Sequence, residues 1–257
     1  MKTMVVRACA LGFLLSGCGI DGSGELVTEE HVIADAHVLE IESGLEVVLT
    51  RSAEPRLSVT ADDNLVDLLV IQEGEGSLRL AMPQTVGDIR PSEPIHIELA
   101  VSDLTELKVS DGVRVEVTGL GENVALALSD GSEVVFDRLW GNHLDADLSD
   151  ASTLRVESLE VATWDLAMSD SSRSLVTAGS VDALISAQSD ASSLVATELE
   201  VASSELALSD SSSVQIGDAG AIFGALSGAS WVKYAGDAYI GDLDVCEDCM
   251  VSRTDAE

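Results

Sequence analysis

One motif recurs along the second half of the chain at an almost constant interval. Ser-Asp pairs begin at Ser110, Ser129, Ser149, Ser169, Ser189 and Ser209, and a Ser-Gly variant begins at Ser227. The differences between successive starting positions are 19, 20, 20, 20, 20 and 18. The fourth position of the unit is Ser in six of the seven copies, and Val113 is the exception. A catalytic motif is needed once, whereas a motif that returns at a fixed interval is typical of the turn in a repeat protein.

The residues between these turns alternate between apolar and polar. Leu154 and Val156 follow one turn, and Trp164, Leu166 and Met168 precede the next. A period of two residues predicts strands. An antiparallel meander would need frequent Asp-Gly or Asn-Gly hairpin turns, and the repeats hold only Asp111-Gly112 and Asp130-Gly131. The pattern therefore predicts an all-β fold, a single-stranded parallel β-helix (solenoid) with about 20 residues per coil.

Stacked coils place equivalent residues in columns. One column is aliphatic and is interrupted by Ser174: it contains Val134, Leu154, Leu194, Val214 and Val232. Another is built of small residues and is interrupted by Asp147: it contains Ala127, Ala167, Ala187, Ala207 and Ala225. The two interruptions leave open which columns face the interior.

The N-terminus reads as an export signal. Lys2 and Arg7 precede the apolar run from Ala8 to Leu15, which is too short to span a bilayer and suits a secretory signal. The run ends in Leu15-Ser16-Gly17-Cys18, which resembles a bacterial lipobox, in which the cysteine is lipidated and becomes the first mature residue. Gly19 after the cysteine implies, by the same resemblance, sorting to the outer membrane. We therefore expect a lipoprotein signal peptide at 1–17, lipidation of Cys18, and an acidic, Gly-rich tether at 18–30.

The rest of the chain is expected to form one body. Residues 31–242 read as the β-helix, with regular repeats from about 110, and 243–257 read as a C-terminal tail that carries a Cys-x-x-Cys motif.

The charge is strongly acidic. The chain has 13 Lys and Arg against 46 Asp and Glu, and two of the basic residues precede Cys18, so a chain that begins there carries 11 − 46 = −35. Nucleic acids and anionic lipid surfaces are polyanions, which this charge disfavours as partners. Aromatic residues make up only 3% of the chain, so the core must be built from aliphatic and small side chains.

The repeated aspartates suggest two hypotheses. In a β-helix they would stack about 5 Å apart, where neighbouring carboxylates repel and Ca²⁺ could relieve the repulsion. Alternatively, each carboxylate would serve its turn by accepting a backbone N–H two residues on, which is the interpretation we favour. The candidates are Asp111, Asp130, Asp150, Asp170, Asp190 and Asp210.

Cys246 and Cys249 are the two cysteines left once Cys9 is removed and Cys18 is lipidated. A redox-active thiol needs a lowered pKa, which the intervening Glu247 and Asp248 do not favour. Two cysteines also fall short of a structural zinc site. An exported protein favours a disulfide between them.

Catalysis on polysaccharides is the alternative that a β-helix raises, because acidic pairs can act as acid and base. However, the four histidines, His31, His37, His96 and His143, are scattered, and no nucleophile or phosphate-loop motif is present. We expect no enzyme activity and no cofactor other than the Ca²⁺ considered above.

The chain resembles the GIN domain family, described as a putative auto-transporter adhesin head domain, over about Val32–Asp242. The resemblance rests on three stretches: DNLVDLLVIQEGEGSLRL, the recurring LSDAS-type turns, and LSGASWVKYAGDAYI at Leu226–Ile240. Six turns depart from the Ser-Gly motif that is common in the family, because their second residue is Asp. The resemblance implies a parallel β-helix in the cell envelope and supplies no catalytic residues.

The predicted function is that of a non-catalytic cell-envelope lipoprotein for surface display, adhesion or structural binding. Its expected partners are the outer membrane, through the lipid, and a glycan or other cell-surface molecule, with no nucleic acid. A periplasmic or an outward-facing location suits it equally. Two alternatives stay open: a polysaccharide-active enzyme on the same fold, and a scaffold that self-associates through its terminal strands.

Overall fold

A computed structural model describes residues 19–83 and 88–254, and most of these residues lie in strands. The strands in chain order are β1 (Ile20–Asp21), β2 (Leu26–His31), β3 (Val38–Ile41), β4 (Glu46–Arg51), β5 (Arg56–Asp62), β6 (Val70–Glu73), β7 (Ser77–Ala81), β8 (Ile89–Arg90), β9 (His96–Val101), β10 (Glu106–Val109), β11 (Arg114–Thr118), β12 (Ala125–Leu128), β13 (Glu133–Leu148), β14 (Thr153–Met168), β15 (Arg173–Gln188), β16 (Ser193–Ala196), β17 (Leu199–Leu208), β18 (Ser213–Asp218), β19 (Ala221–Leu226), β20 (Trp231–Ala235), β21 (Tyr239–Val245) and β22 (Met250–Arg253). One 3-10 helix spans Val66–Leu68. The predicted parallel β-helix is confirmed.

Each coil of the regular part has three sides. In β14 the first side is 153–156, the second is 158–161 and the third is 163–168, and every side pairs in parallel with the same side of β13 and β15. The partner of Leu154 is Val134 in the preceding coil and Ser174 in the next, so each step in the stack equals one interval of the sequence repeat. The constant interval in the sequence is therefore the length of one coil.

The aliphatic column faces the interior. Val134, Leu154, Leu194, Val214 and Val232 have no exposed surface, and they pack with the buried residues of the other two sides in one continuous core. Ser174 lies in the same column and is also fully buried. Its Oγ has no hydrogen-bond partner among the described residues, nor does Gln188 Oε1 on the same coil. The coil formed by β15 thus carries polar groups where its neighbours carry aliphatic ones.

The serine at the fourth position of the turn is buried in all six copies and joins successive coils in four of them. The six serines, Ser132, Ser152, Ser172, Ser192, Ser212 and Ser230, are at most 1% exposed. Ser152 Oγ donates to the carbonyl of Leu128, which lies just before the turn of the preceding coil, at 3.1 Å. Ser132, Ser172 and Ser192 make the equivalent bond. Ser212 and Ser230 instead donate to the carbonyl of the first serine of their own turn. A buried hydroxyl needs an acceptor, and this position supplies one in every copy.

The order of coils at the N-terminal end differs from the order of the chain. β3 and β4 lie between the strands β7 and β9 on one side and β10 and β11 on the other, all in parallel pairing. The coil at 38–51 is therefore inserted between a later coil at 77–101 and the still later one at 106–118. From this outer coil to β22, the first side is ten strands deep in the described ranges. At about 4.8 Å per strand the stack is roughly 43 Å long.

Antiparallel strands cover the N-terminal end of the stack. β5 pairs antiparallel with β9, and β2 pairs antiparallel with β5. The prediction of an acidic, Gly-rich tether at 18–30 is wrong for the described part of that segment, because β1 pairs with β8 and β2 pairs with β5 as the outermost strand. Covering the end satisfies backbone groups that an open sheet edge would leave unpaired.

Asp62 fastens this cap. Its carboxylate accepts hydrogen bonds from Ser92 Oγ at 2.6 Å, from Ser92 N at 2.9 Å and from Gly24 N at 2.7 Å. The hydrogen bonds from Ser92 lower the pKa of Asp62 below its ordinary value. One carboxylate thus ties the N-terminal segment, the end of β5 and the loop before β9 together.

The C-terminal end is one coil longer than predicted. β21 pairs with β19 and β22 pairs with β20, both in parallel, so 239–253 completes a further coil. The prediction that a separate tail begins at 243 is wrong, because Cys246-Glu247-Asp248-Cys249 lies where the Ser-Asp-x-Ser turn lies in earlier coils. The step from Ser227 to Cys246 equals the step from Ser110 to Ser129, so the cysteine continues the repeat interval.

The two kinds of buried serine give a test of the hydrogen bond between coils. Ser152→Ala removes a satisfied hydroxyl and should lower the free energy of unfolding by about 1 kcal/mol. Ser174→Ala removes a buried hydroxyl that has no partner among the described residues, so it should leave stability unchanged or raise it. Urea unfolding of the two variants measures the difference. Equal destabilisation by both would show that the bond to Leu128 contributes nothing beyond packing.

Candidate functional site

The Ser-Asp turns form a ridge along one corner of the solenoid. In each turn the two central residues have left-handed backbone conformations, with φ of 51° at Asp150 and 61° at Ala151. Ser152 N donates to Ser149 O at 3.0 Å and closes the turn. Two successive positive φ values define a type I′ turn. Ala151 N also donates to Asp170 O at 2.8 Å, so the backbone ladder continues from coil to coil around the corner.

The aspartates serve the turn through their backbone. All six have φ between 51° and 57°, a region that Asp tolerates better than most residues. Ser129 Oγ donates to Asp130 Oδ2 at 2.7 Å. No backbone N–H in the described ranges donates to any of the six carboxylates, so the favoured interpretation, an N–H bound two residues on, is wrong. Apart from Asp130, these carboxylates are therefore free to meet solvent or a ligand.

The calcium hypothesis stays a prediction. The structure aligns Asp111, Asp130, Asp150, Asp170, Asp190 and Asp210 one per coil on the ridge. Within 19–83 and 88–254, no three side chains of His, Cys, Asp or Glu converge in the way that holds a metal ion.

A groove of about 710 Å³ runs beside the ridge on the third side of the coils. Its floor is the column of small residues, which faces outward: Ala127, Asp147, Ala167, Ala187 and Ala207. Its rim on the side of the ridge is formed by the first serines of the turns: Ser110, Ser129, Ser149, Ser169, Ser189 and Ser209. Glu40, Glu42 and Lys108 line one end. The floor spans seven coils from Glu40 to Ala207, which is about 29 Å.

The serine hydroxyls on the rim differ in whether they form hydrogen bonds within the protein. Ser129 donates to its neighbouring aspartate, whereas Ser149, Ser169, Ser189 and Ser209 have side-chain hydroxyls with no hydrogen-bond partner in the described part of the chain. Each such hydroxyl can donate one hydrogen bond and accept others. The rim therefore offers a row of polar groups that the fold does not use.

The groove is acidic. Asp147 lies in its floor, where desolvation, and next the charge of Asp145, raise the pKa of its carboxyl above the ordinary value. Asp145 belongs to the neighbouring outward column, which also holds Asp165 and Glu205. Lys108 is the one basic side chain among the described residues of the lining, and its Nζ lies 2.6 Å from Glu106. At the same end Arg79 is held by Glu42 at 2.6 Å.

The other predicted residues are distributed as follows. Cys246 and Cys249 form the predicted disulfide, which closes the turn of the last coil. Cys18 and the signal segment at 1–17 lie outside the described residues. No helix in the described ranges is long and apolar enough to cross a membrane. His31 lies 4.0 Å from Glu29 and His143 lies 3.6 Å from Asp165, and these partly exposed pairs are in different parts of the fold.

The small-residue column was visible in the sequence, but the groove was not. The column could equally have packed inside, as alanines often do. Asp147 was the available signal, because a charged residue within a column is costly to bury and therefore indicates an outward face.

The family of the chain follows from comparison with known proteins. Residues 37–238 match the family model described as "Putative auto-transporter adhesin, head GIN domain", and the chain belongs to this family. No curated protein matches the chain. A crystal structure described as a putative adhesin from Parabacteroides merdae shares 16% identity with a TM-score of 0.84, covering 92% of this chain and 99% of that one.

Two structures from Parabacteroides distasonis are also similar. One, described as a putative lipid binding protein, has 19% identity and a TM-score of 0.83, and the other, a putative adhesin, has 17% identity and a TM-score of 0.78. Each comparison covers 92% of this chain and 100% of the other. At these identities the likeness establishes a shared fold.

Substitutions at Asp150 separate the role of its backbone from that of its carboxylate. Asp150→Val should lower stability by about 1–2 kcal/mol, because a β-branched residue resists φ of 51°. Asp150→Asn keeps the tolerance for this conformation and removes one repelling charge, so the melting temperature should hold or rise. Thermal melting with EDTA and then with added Ca²⁺ completes the test. A loss on Asp150→Asn that matches Asp150→Val, together with a lower midpoint in EDTA, would support the calcium ladder instead.

Proposed function

We propose that the chain is a lipid-anchored envelope module that binds a surface partner without catalysing a reaction. The observation that carries this proposal is the groove of about 29 Å, whose rim offers serine hydroxyls that make no bond within the described fold. A row of like groups at a constant spacing suits repeated weak contacts along an extended partner. Membership of the putative adhesin head family supports the same function.

The arrangement of the two ends agrees with anchoring at the N-terminus. Gly19, next to the proposed lipidated Cys18, lies at the capped end, since Ile20 N donates to the carbonyl of Asp88 at 2.8 Å. The last coil lies at the other end of the stack. A lipid on Cys18 would therefore hold the rod by its capped end, within reach of the outer membrane, and leave the grooved side accessible.

Catalysis is not favoured by the geometry. General acid–base or nucleophilic chemistry needs two or three groups within hydrogen-bond reach of one reacting centre. Along its floor the groove presents small side chains and the carboxylate of Asp147, with one serine hydroxyl per coil at the rim and no histidine among the described residues that line it; at its end Glu42 is occupied by an ion pair with Arg79.

Self-association is a second candidate, and the terminal coil favours it. In the described ranges β21 and β22 each pair on one edge only, and Tyr239, Ile240, Val245 and Met250 on this coil are 40–67% exposed. An unpaired edge with apolar side chains is a template for another strand. The cap at the other end blocks growth head to tail, so this contact would produce a pair rather than a filament.

Sedimentation tests the second candidate. We expect the sedimentation coefficient of the chain to rise with concentration toward a dimer, and Ile240→Lys to restore the monomer because it places a charge on the edge. A monomer at every concentration would eliminate the scaffold function.

Adhesion and anchoring are tested together on cells that express the full chain. We expect the protein in the membrane fraction and increased binding of these cells to host-cell or glycan-coated surfaces. Cys18→Ser should release the protein into the soluble fraction and abolish the binding. A soluble wild-type chain would refute the anchor, and an anchored chain that confers no binding would refute adhesion.

Turnover of acidic polysaccharides that is lost on Asp150→Ala with Asp170→Ala would favour the enzyme instead.

A further inference from the structure

We propose that the groove on the third side binds an extended, basic peptide segment of a partner protein. This inference rests on the proposed function, because it names the class of partner that an adhesive groove would take. It depends on the shape of the groove, the unused hydroxyls of its rim and the charge on both of its sides.

The shape suits an extended chain. The groove runs across seven coils for about 29 Å, and an extended peptide rises about 3.3 Å per residue, so about nine residues would fill it. The alanine floor is shallow and apolar. A peptide main chain can lie on it with side chains to either side, whereas larger residues in place of the alanines would exclude the peptide. Ser149, Ser169, Ser189 and Ser209 can donate to peptide carbonyls and accept from peptide N–H groups.

Charge selects a basic occupant. The ridge beside the rim carries one aspartate in each of six successive coils, and the column on the opposite side carries Asp145, Asp165 and Glu205. Asp147 adds a carboxylate between them. The nearby basic side chains are Lys108, which Glu106 binds at the end of the groove, Arg79, which Glu42 binds at the same end, and His143, which lies 3.6 Å from Asp165 Oδ2. A peptide with Lys or Arg side chains on both edges would neutralise carboxylates on both walls at once.

Other occupants fit less well. Nucleic acids and acidic polysaccharides would be repelled by these carboxylates. A neutral glycan would lack an aromatic face to pack on, because none of the three tryptophans lines the groove. Trp164 is buried in the core, Trp140 lies beneath the guanidinium of Arg138, and Trp231 lies beneath Lys233.

The experiment measures binding of a fluorescent peptide of about nine residues, alternating Lys and Ala, to the full-length protein by anisotropy. A peptide of the same length that alternates Glu and Ala is the negative probe. The groove variant combines Asp147→Asn, Asp165→Asn and Glu205→Gln. The matched control combines Glu157→Gln, Asp182→Asn and Glu200→Gln, which removes the same charge from exposed positions away from the groove. Both variants should fold, because five of the six side chains are exposed and the sixth, Asp165, is partly exposed with an Oδ1 that has no hydrogen-bond partner to lose in the described ranges; thermal melting checks this.

We expect the Lys-Ala peptide to bind, added salt to weaken it, and the Glu-Ala peptide not to bind. The groove variant should bind roughly tenfold more weakly, and the control should bind within about twofold of wild type. A second variant, Ala167→Phe with Ala187→Phe, fills the floor without changing the charge and should also weaken binding.

Four results would overturn the inference: no binding of the Lys-Ala peptide, equal loss in both charge variants, binding that survives the filled floor, or effective competition by spermine. Equal loss would mean that the peptide senses only the net charge of the protein. Spermine that competes at equal concentration of positive charge would mean that the groove takes any polycation, which also contradicts a peptide site. Cell binding that persists in the groove variant would leave the adhesive function intact and refute only this assignment of its partner.

Discussion

The carbonyl just before each turn accepts hydrogen bonds from the turn of the next coil, and in four coils one of the donors is a buried serine hydroxyl. At Ser152 the acceptor is the carbonyl of Leu128, which also accepts the N–H of Ser149 at 2.9 Å, so one oxygen ties two residues of the next turn. The same two bonds recur at Ser132 and Ser129, whose shared acceptor is the carbonyl of Val109, although this interval is one residue shorter. The stacking of the columns depends on this carbonyl position, because the backbone N–H of the first turn residue donates to it in every turn from Ser129 to Cys246.

The regular part of the fold could be predicted because each coil repeats the same local rules. Alternation indicated the strands, and Ser149-Asp150-Ala151-Ser152 and its equivalents indicated the corners. The order of the first coils could not be predicted, because no sequence pattern within 38–51 indicates that the coils on either side of it are formed by 77–101 and 106–118. The last coil could have been predicted from the sequence, since Cys246 continues the interval. It was missed because cysteines stand in this turn where the earlier turns have serines.

The candidate site shows a similar division. The six aspartates were placed correctly in the turns, but the reason why Asp stands there was not predicted. An Asp that adopts a left-handed φ and an Asp that accepts a backbone N–H look alike in the sequence. The groove was missed because it needs the orientation of a column, which is a property of the stack rather than of one repeat. Asp147 was the residue that could have decided it, since its charge assigns the column to the outside. In the sequence, the acidic composition served only to exclude polyanions as partners. In the structure, part of this negative charge lies on the third side of the coils, where carboxylates flank a floor of alanines.

The inserted coil at 38–51 has a consequence for synthesis on the ribosome. Strands β3 and β4 emerge early, but the strands that flank β4 come much later, since β9 begins at His96 and β11 begins at Arg114. This early segment gains its first neighbours only when β7 and β9 have been made and its second only at Thr118, close to half of the chain, and its apolar residues need shelter meanwhile. Each coil of the repeat region, in contrast, can add to a finished template as it leaves the exit tunnel. Nascent chains that end before Thr118 would therefore be the stage most dependent on chaperones.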